Sequence, residues 1–144
     1  MVRLFPLAGL LRLRHLQQDQ AASQLAVANG RMRENNFRQM RARTALGSTL
    51  SEVANTAALH AVAAARASSR STLADLEGVG AEVRTEVDQA QAVFDAARSR
   101  AIRLEKLEVR HTEAVAADDV HKEQTALDEI ASGAWQRHHE GAEE

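Results

Sequence analysis

The stretch from Leu73 to Leu104, LADLEGVGAEVRTEVDQAQAVFDAARSRAIRL, carries apolar or small residues at alternating steps of three and four. These positions are Leu73, Leu76, Gly80, Val83, Val87, Ala90, Phe94, Ala97, Ala101 and Leu104. An apolar position every 3.5 residues forms the seam of a coiled-coil helix. Because this seam is narrow and many of its side chains are small, it predicts a long helix that packs against a single partner helix.

The first half of the chain carries the same spacing. Its positions are Leu7, Leu11, Arg14, Gln18, Ala21, Leu25, Ala28, Met32, Asn35, Gln39, Ala42 and Leu46, and after one additional four-residue step Leu50, Val53, Ala57, His60 and Ala64. Beyond Leu104 the pattern blurs between about 108 and 119. It resumes at Val120, Gln124, Leu127 and Ile130 or Ala131. The sequence therefore predicts a second long helix of the same type.

The composition agrees with helices and argues against a compact globular core. About a fifth of the 144 residues are alanine, which buries little area per residue, and only three Phe and one Trp supply aromatic bulk. Pro6 is the only proline, so nothing after it forbids a helix. The chain has no cysteine, which excludes disulfides, thiolate metal sites and thiol catalysis.

A serine-rich segment at 68–72 predicts the turn between the helices. Thr72 and Asp75 match a capping box that would start a new helix, and Gly78 and Gly80 would loosen its first turns. We therefore expect an all-α fold, a long antiparallel two-helix coiled-coil hairpin that forms one domain over residues 1–144. Helix one would span about 3–67, the turn 68–72 or as far as 80, helix two 73–138, and a short acidic tail 139–144.

A turn at residue 70 fixes which residues face each other. The numbers of paired residues should add up to about 140, so that Leu10 faces Ile130, Leu13 faces Leu127, and Leu46 faces Phe94. At 1.5 Å per residue, a helix of about 60 residues gives a rod on the order of 90 Å long. Residues 1–72 carry a net charge of +7 and residues 73–144 a net charge of −9, so the two halves should attract each other.

No catalytic or cofactor-binding motif emerges, so the sequence predicts a non-enzymatic protein without cofactor, metal or small-molecule substrate. The segment Gly78-Val79-Gly80 follows no strand and is better explained as a turn than as a phosphate cradle. His111 and His121 are too far apart on a helix to share a metal ion, and the side chains of His138 and His139 diverge. His60 falls in the seam, where a structural histidine is expected.

The two ends of the chain predict a surface that binds another protein. The apolar residues of the first turns surround most of the helix, which is more than one partner helix can cover. Leu127, Ile130 and Trp135 would add apolar surface from the second helix. The candidate binding residues at this end are Leu4, Phe5, Leu7, Leu10, Leu11, Leu13, Leu127, Ile130 and Trp135. The alternative is that frayed ends collapse onto each other.

A second candidate surface is a basic belt in the middle of the hairpin. Its residues on helix one are Arg31, Arg33, Arg38, Arg41 and Arg43, and the expected pairing places them opposite Arg98, Arg100, Arg103, Lys106 and Arg110. Such a belt would steer an acidic partner protein towards the rod. The alternative is a solvated face with local ion pairs. Nucleic acid is disfavoured as a partner because the flanks are acidic and no aromatic stacking platform accompanies the arginines.

The sequence contains FPLAGLLRLR at residues 5–14, LEKLE at residues 104–108 and EQTALDEIA at residues 123–131. In this order, these three segments resemble the opening, a stretch of the second helix and the closing run of the FliJ family of flagellar export stalk proteins. The resemblance implies an antiparallel coiled coil similar to the central stalk of rotary ATPases. It also implies three protein partners, which are the flagellar export ATPase FliI, the export gate protein FlhA and export chaperones. The implied location is cytoplasmic, at the inner face of the membrane through these partners.

Two other functions stay open at this stage. A peripheral membrane-surface protein is the first alternative because residues 4–16 are basic and apolar, and a generic coiled-coil adaptor is the second. The opening residues are not expected to be a signal peptide, since Arg12 and Arg14 interrupt the apolar run. No apolar stretch approaches the roughly 20 residues of a membrane span.

Overall fold

Two long helices make up the structure. This computed structural model describes residues 3–48 and 54–140. Helix α1 spans Ala8–Gly47 with 40 residues, and helix α2 spans Thr56–Glu140 with 85 residues. The described ranges contain no strand, and the two helices pack against each other, which confirms the predicted all-α helical hairpin.

The chain divides into two compact units, each built from a part of both helices. The second unit, residues 15–99, contains a regular seam of side chains that are buried or half-buried. Its positions are Gln18, Ala21, Leu25, Ala28, Met32, Asn35, Gln39, Ala42 and Leu46 on α1, and Leu73, Leu76, Gly80, Val83, Val87, Ala90, Phe94 and Ala97 on α2. Every one of these positions was predicted, so the heptad spacing is confirmed for residues 18–46 and 73–97.

The first unit combines the N-terminal residues up to Arg14 with the C-terminal residues from Arg100. Here the seam of α2 continues without a break through Ala101, Leu104, Glu108, His111, Val115 and Asp118. The expected resumption of the seam at Val120, Gln124, Leu127 and Ile130 or Ala131 is wrong, because all of these side chains are exposed. The expected blurring between about 108 and 119 is also wrong. The seam persists because the stems of Glu108 and Asp118 and the ring of His111 take positions that apolar residues fill elsewhere.

The helix break lies earlier than predicted. Helix α1 ends at Gly47, and α2 begins at Thr56, so the expected turn at 68–72 falls inside a continuous helix. The backbone N–H of Ala58 donates to Oδ1 of Asn55 at 2.8 Å, which makes Asn55 the N-cap of α2. Thr72 starts no helix, since it lies in the interior of α2, and its hydroxyl donates to the carbonyl of Ser68 one turn earlier.

The shifted break also overturns the seam that was predicted before residue 68. Ala57, His60 and Ala64 are exposed, whereas Ala58, Val62 and Arg66 are half-buried. The predicted seam positions Leu50 and Val53 lie outside the described residues, as does most of the predicted acidic tail.

Removal of the N-cap should cost stability. Replacing Asn55 with alanine deletes the acceptor of the Ala58 N–H, so we expect the free energy of unfolding to fall by about 1 kcal/mol in urea titrations followed by circular dichroism. Asn55→Asp retains an acceptor oxygen and should stay within a few tenths of a kcal/mol of the parent. An Asn55→Ala protein as stable as the parent would contradict the assignment of this cap.

The pairing register differs accordingly from the predicted one. In the second unit Arg31 contacts Glu86 and Arg43 contacts Glu77, and in the first unit the Phe5 ring lies against His111. The residue numbers of these pairs add up to between 116 and 120 instead of about 140. The expected contacts of Leu10 with Ile130, Leu13 with Leu127, and Leu46 with Phe94 are therefore wrong.

Candidate partner-binding surfaces

The N-terminal residues are held on α2 by one ring contact and one ion pair. The rings of Phe5 and His111 are 5.6 Å apart at an angle of 59°. Nη1 of Arg3 lies 2.9 Å from Oδ2 of Asp118, and the same oxygen accepts a hydrogen bond from Lys122 at 2.6 Å. The bond from Lys122 lowers the pKa of Asp118 below its ordinary value, and the charges of Lys122 and Arg3 act in the same direction. Asp118 therefore stays ionised and keeps Arg3 in place at neutral pH.

Four leucines of the N-terminal end remain exposed near the Phe5–His111 ring contact and the Arg3–Asp118 ion pair. Leu11 is buried in the seam with 7% of its surface exposed, and Phe5 is half-buried. The exposed leucines are Leu4, Leu7, Leu10 and Leu13, and we call them the terminal leucine cluster. Leu4 is 83% exposed. The predicted binding residues of helix one thus separate into two that pack against α2 and four that are accessible to a partner.

The C-terminal part of α2 extends beyond its pairing with α1. Residues 119–132 are all exposed, so the described part of α1 does not cover them. Leu127 and Ile130 are 65% and 67% exposed, and Trp135 is also exposed. Leu127 and Ile130 were expected to face Leu13 and Leu10, but the shifted register leaves both accessible on the extended helix.

The predicted basic belt does not form. The shift places the acidic stretch of α2, instead of its basic one, beside the arginines of α1. Arg31 binds Glu86 at 3.1 Å, and Arg43 binds Glu77 at 3.3 Å. These two ion pairs join the positively charged first half of the chain to the negatively charged second half.

The other three arginines of the belt form no ion pair with a described residue of α2. Arg38 binds Glu34 one turn away, and the guanidinium of Arg41 lies 5.9 Å from the centre of the Phe37 ring. Arg33 forms no ion pair with any residue that the structure describes. Surface pairs of this kind are worth little individually. The binding of an acidic partner by the five arginines of α1 stays a prediction.

A buried polar layer interrupts the seam of the second unit. Asn35 and Gln39 are 5% and 7% exposed, and their amide nitrogens lie within 2.8 Å of the place that a Cβ on Gly80 would occupy. Nε2 of Gln39 donates to the carbonyl of Leu76 at 3.0 Å. Neither amide atom of Asn35 has a hydrogen-bond partner within the described chain. Gly80 was expected to loosen a turn, and its absent side chain instead admits two polar side chains to the helix backbone.

A groove follows this layer along the surface. Its volume is about 330 Å³, and its lining residues are Arg31, Glu34, Asn35, Arg38, Leu76, Val79 and Val83. No sequence pattern predicted the groove, because the groove depends on which residue of α2 lies opposite Asn35.

Sequence analysis did not recognise a second apolar stripe on α2, which we call the outer stripe, because it assigned Val120, Leu127 and Ile130 to the seam. It consists of Ile102, Val109, Ala116, Val120, Leu127 and Ile130. All six side chains are exposed. They occupy heptad positions b and f when the seam occupies a and d. Ile102, Val109 and Ala116 therefore lie on the side turned away from α1, and the other three lie where α2 extends beyond α1. The repeated seven-residue steps from Ile102 to Val109 and from Val120 to Leu127 were a visible signal for it.

The described residues contain neither a metal-binding cluster nor a membrane-spanning segment. Among them, no three His, Asp or Glu side chains come close enough together to hold a metal ion. In the same ranges, neither helix has a segment with the length and apolar character of a membrane span.

The fold and the exposed apolar residues indicate the class of protein. A helical hairpin with a narrow seam and exposed apolar ends is typical of coiled-coil stalks and adaptors, whose function is to contact other proteins. The family model described as "Flagellar FliJ protein" matches residues 3–140, and the chain belongs to this family, which gives it a role related to flagellar protein export. No curated protein matches the chain significantly. No solved structure does so either.

Proposed function

We propose that this chain is a non-enzymatic stalk or adaptor of the flagellar export apparatus, and that its terminal end inserts into the ring of the export ATPase FliI. ATP hydrolysis would belong to the ring, and the hairpin would couple the ring to the export gate protein FlhA. A role in escorting export chaperones is compatible with the same surface. This proposal places the chain in the cytoplasm, at the inner face of the membrane through its protein partners.

The terminal leucine cluster is the observation that carries this proposal. Four exposed leucines within ten residues form an apolar surface that water solvates poorly and that a sleeve-shaped partner can cover. Leu127 and Ile130 add exposed apolar surface in the same unit. Arg3, Arg12 and Arg14 accompany the cluster, so an acidic rim on the partner would complement it.

The test is stimulation of the purified export ATPase by the full-length protein. Leu7→Ser combined with Leu10→Ser should raise the concentration needed for half-maximal stimulation at least tenfold, because two apolar contacts are lost. Leu59→Ser, at an exposed leucine of the second unit, is the matched control and should stimulate like the parent. Equal stimulation by the parent and the double variant would overturn the proposal.

A membrane-surface function is the alternative that the same residues favour, since basic and apolar side chains alternate at this end. Flotation with vesicles that contain anionic lipid separates the two functions. The stalk proposal predicts that the protein stays with the aqueous fraction. If the parent floats with the vesicles and the variant that combines Leu7→Ser with Leu10→Ser does not, the result would instead support the membrane-surface function.

A further inference from the structure

The outer stripe of α2 has no occupant within the described chain. Its central valines, Val109 and Val120, are both more than half exposed, whereas the outward face of a helix typically carries charged or polar residues. The stripe runs from Ile102 to Ile130 on one continuous helix, so its length is about 42 Å. An apolar row at heptad spacing is the surface that another helix covers.

The charges along the stripe are divided between its two halves. Residues 98–110 carry Arg98, Arg100, Arg103, Lys106 and Arg110 against two glutamates, which gives +3. Residues 113–130 carry six acidic residues against Lys122, which gives −5. A helix that runs antiparallel with the same sequence would place its acidic half beside the basic half of the stripe. The stripe is therefore complementary in charge to a second copy of itself.

One antiparallel register satisfies the apolar and the charged residues together. When Ile102 faces Leu127 of a second copy, Val109 faces Val120 of that copy. The same alignment places Lys106 opposite Glu123, and Arg110 opposite Asp119. The arrangement has two-fold symmetry, so each pair occurs twice. Ala116 lies near the symmetry axis, where a small side chain allows the two helices to approach closely.

The size of the surface sets the expected affinity. A stripe of about 42 Å by 10 Å covers about 420 Å² on each copy, roughly half of the area that a standard stable interface buries per partner. The association should therefore be weak, with a dissociation constant of roughly 10–300 μM. Because much of its specificity is electrostatic, added salt should weaken it further.

We propose that the outer stripe is a self-association surface, through which two copies of this chain pair antiparallel along residues 102–130 of α2. The contact brings Ile102 and Val109 of one copy onto Leu127 and Val120 of the other, with the charged residues on both sides in complementary pairs. This inference does not depend on the stalk function. Its test changes only charged residues outside the terminal leucine cluster.

The experiment is sedimentation equilibrium of the full chain at concentrations from roughly 5 to 500 μM, a range that brackets the expected affinity. The weight-average mass of the parent should rise from 15.7 kDa towards twice that value. One variant combines Lys106→Glu with Arg110→Glu, and the other combines Asp119→Lys with Glu123→Lys. All four side chains are exposed, and circular dichroism confirms that the helices are retained.

Each variant alone should bind itself at least about 30-fold more weakly than the parent does, because like charges then face each other. An equimolar mixture of the two variants should associate within about threefold of the parent affinity, since the opposite charges meet again. Glu113→Leu should tighten the parent dimer, because Glu113 faces Ala116 near the axis. A parent that remains at 15.7 kDa throughout, or a mixture that stays monomeric while the parent dimerises, would overturn the proposal.

Discussion

Replacing Asn35 with leucine should raise the free energy of unfolding by about 2 kcal/mol. The Asn35 side chain is 5% exposed, and neither Nδ2 nor Oδ1 has a hydrogen-bond partner in the described chain. An unsatisfied buried polar group costs about 1–3 kcal/mol, and leucine has nearly the same shape without that cost. Gly80 leaves room for its methyl groups. Urea unfolding followed by circular dichroism measures the change.

Two control variants separate removal of the amide from filling of the space. Asn35→Ala also removes the unsatisfied amide but leaves a small void, so it should stabilise less than leucine does. Gln39→Leu should gain less as well, because the Gln39 amide donates to the Leu76 carbonyl and its loss removes a hydrogen bond. A loss of stability in Asn35→Leu would show that the amide is satisfied in solution and would contradict this account of the layer.

Replacing Leu11 with alanine should lower the free energy of unfolding by about as much as Asn35→Leu raises it. Leu11 is a large apolar side chain buried in a seam that otherwise consists mostly of small or half-buried residues. Deletion of such a side chain costs about 2–5 kcal/mol, and we expect about 2.5 kcal/mol because a narrow seam relaxes partly around the void. The N-terminal turns of α1 should then detach from α2, which limited proteolysis at Arg12 and Arg14 would detect.

Leu13 provides the matched control for this change. It lies two residues away on the same helix and is 48% exposed, so Leu13→Ala should cost less than 1 kcal/mol. Equal losses from the two variants would contradict the assignment of Leu11 to the seam and Leu13 to the accessible cluster.

The heptad spacing predicted which face of each helix is buried. Every predicted position from Leu11 to Leu46 on α1 and from Leu73 to Leu104 on α2 is buried or half-buried. This succeeded because a coiled-coil seam depends only on residues within one helix, so its period is visible in the sequence. The helical fold class followed from the same signal.

The turn and the register could not be obtained in this way. A narrow seam with many alanines matches a partner helix in several registers, so the pattern did not distinguish a break near 70 from one near 50. The serine cluster and the two glycines suggested a turn, but Gly78 and Gly80 are helical, and Gly80 accommodates the amides of Asn35 and Gln39. The signals at Gly47 and Asn55 were present, and both are ordinary helix-end residues.

The error in register propagated to the candidate surfaces. The arginines of α1 were assigned basic neighbours, whereas Arg31 and Arg43 bind glutamates of α2. The prediction for the N-terminal residues was less affected. Leucines that surround a helix cannot all be covered by one partner helix, so some of them are exposed in any register. Four of the six predicted apolar residues at the N-terminal end are accessible.

Disulfide formation in the cysteine-free chain tests the register most directly. In the pair Asn35→Cys with Gly80→Cys, the new Cβ at position 80 lies beside the side chain at position 35, so mild oxidation should give an intrachain disulfide in nearly all molecules. The pair Leu46→Cys with Phe94→Cys, which a turn at residue 70 would join, should give none. A disulfide in the second pair and none in the first would contradict the hairpin described above.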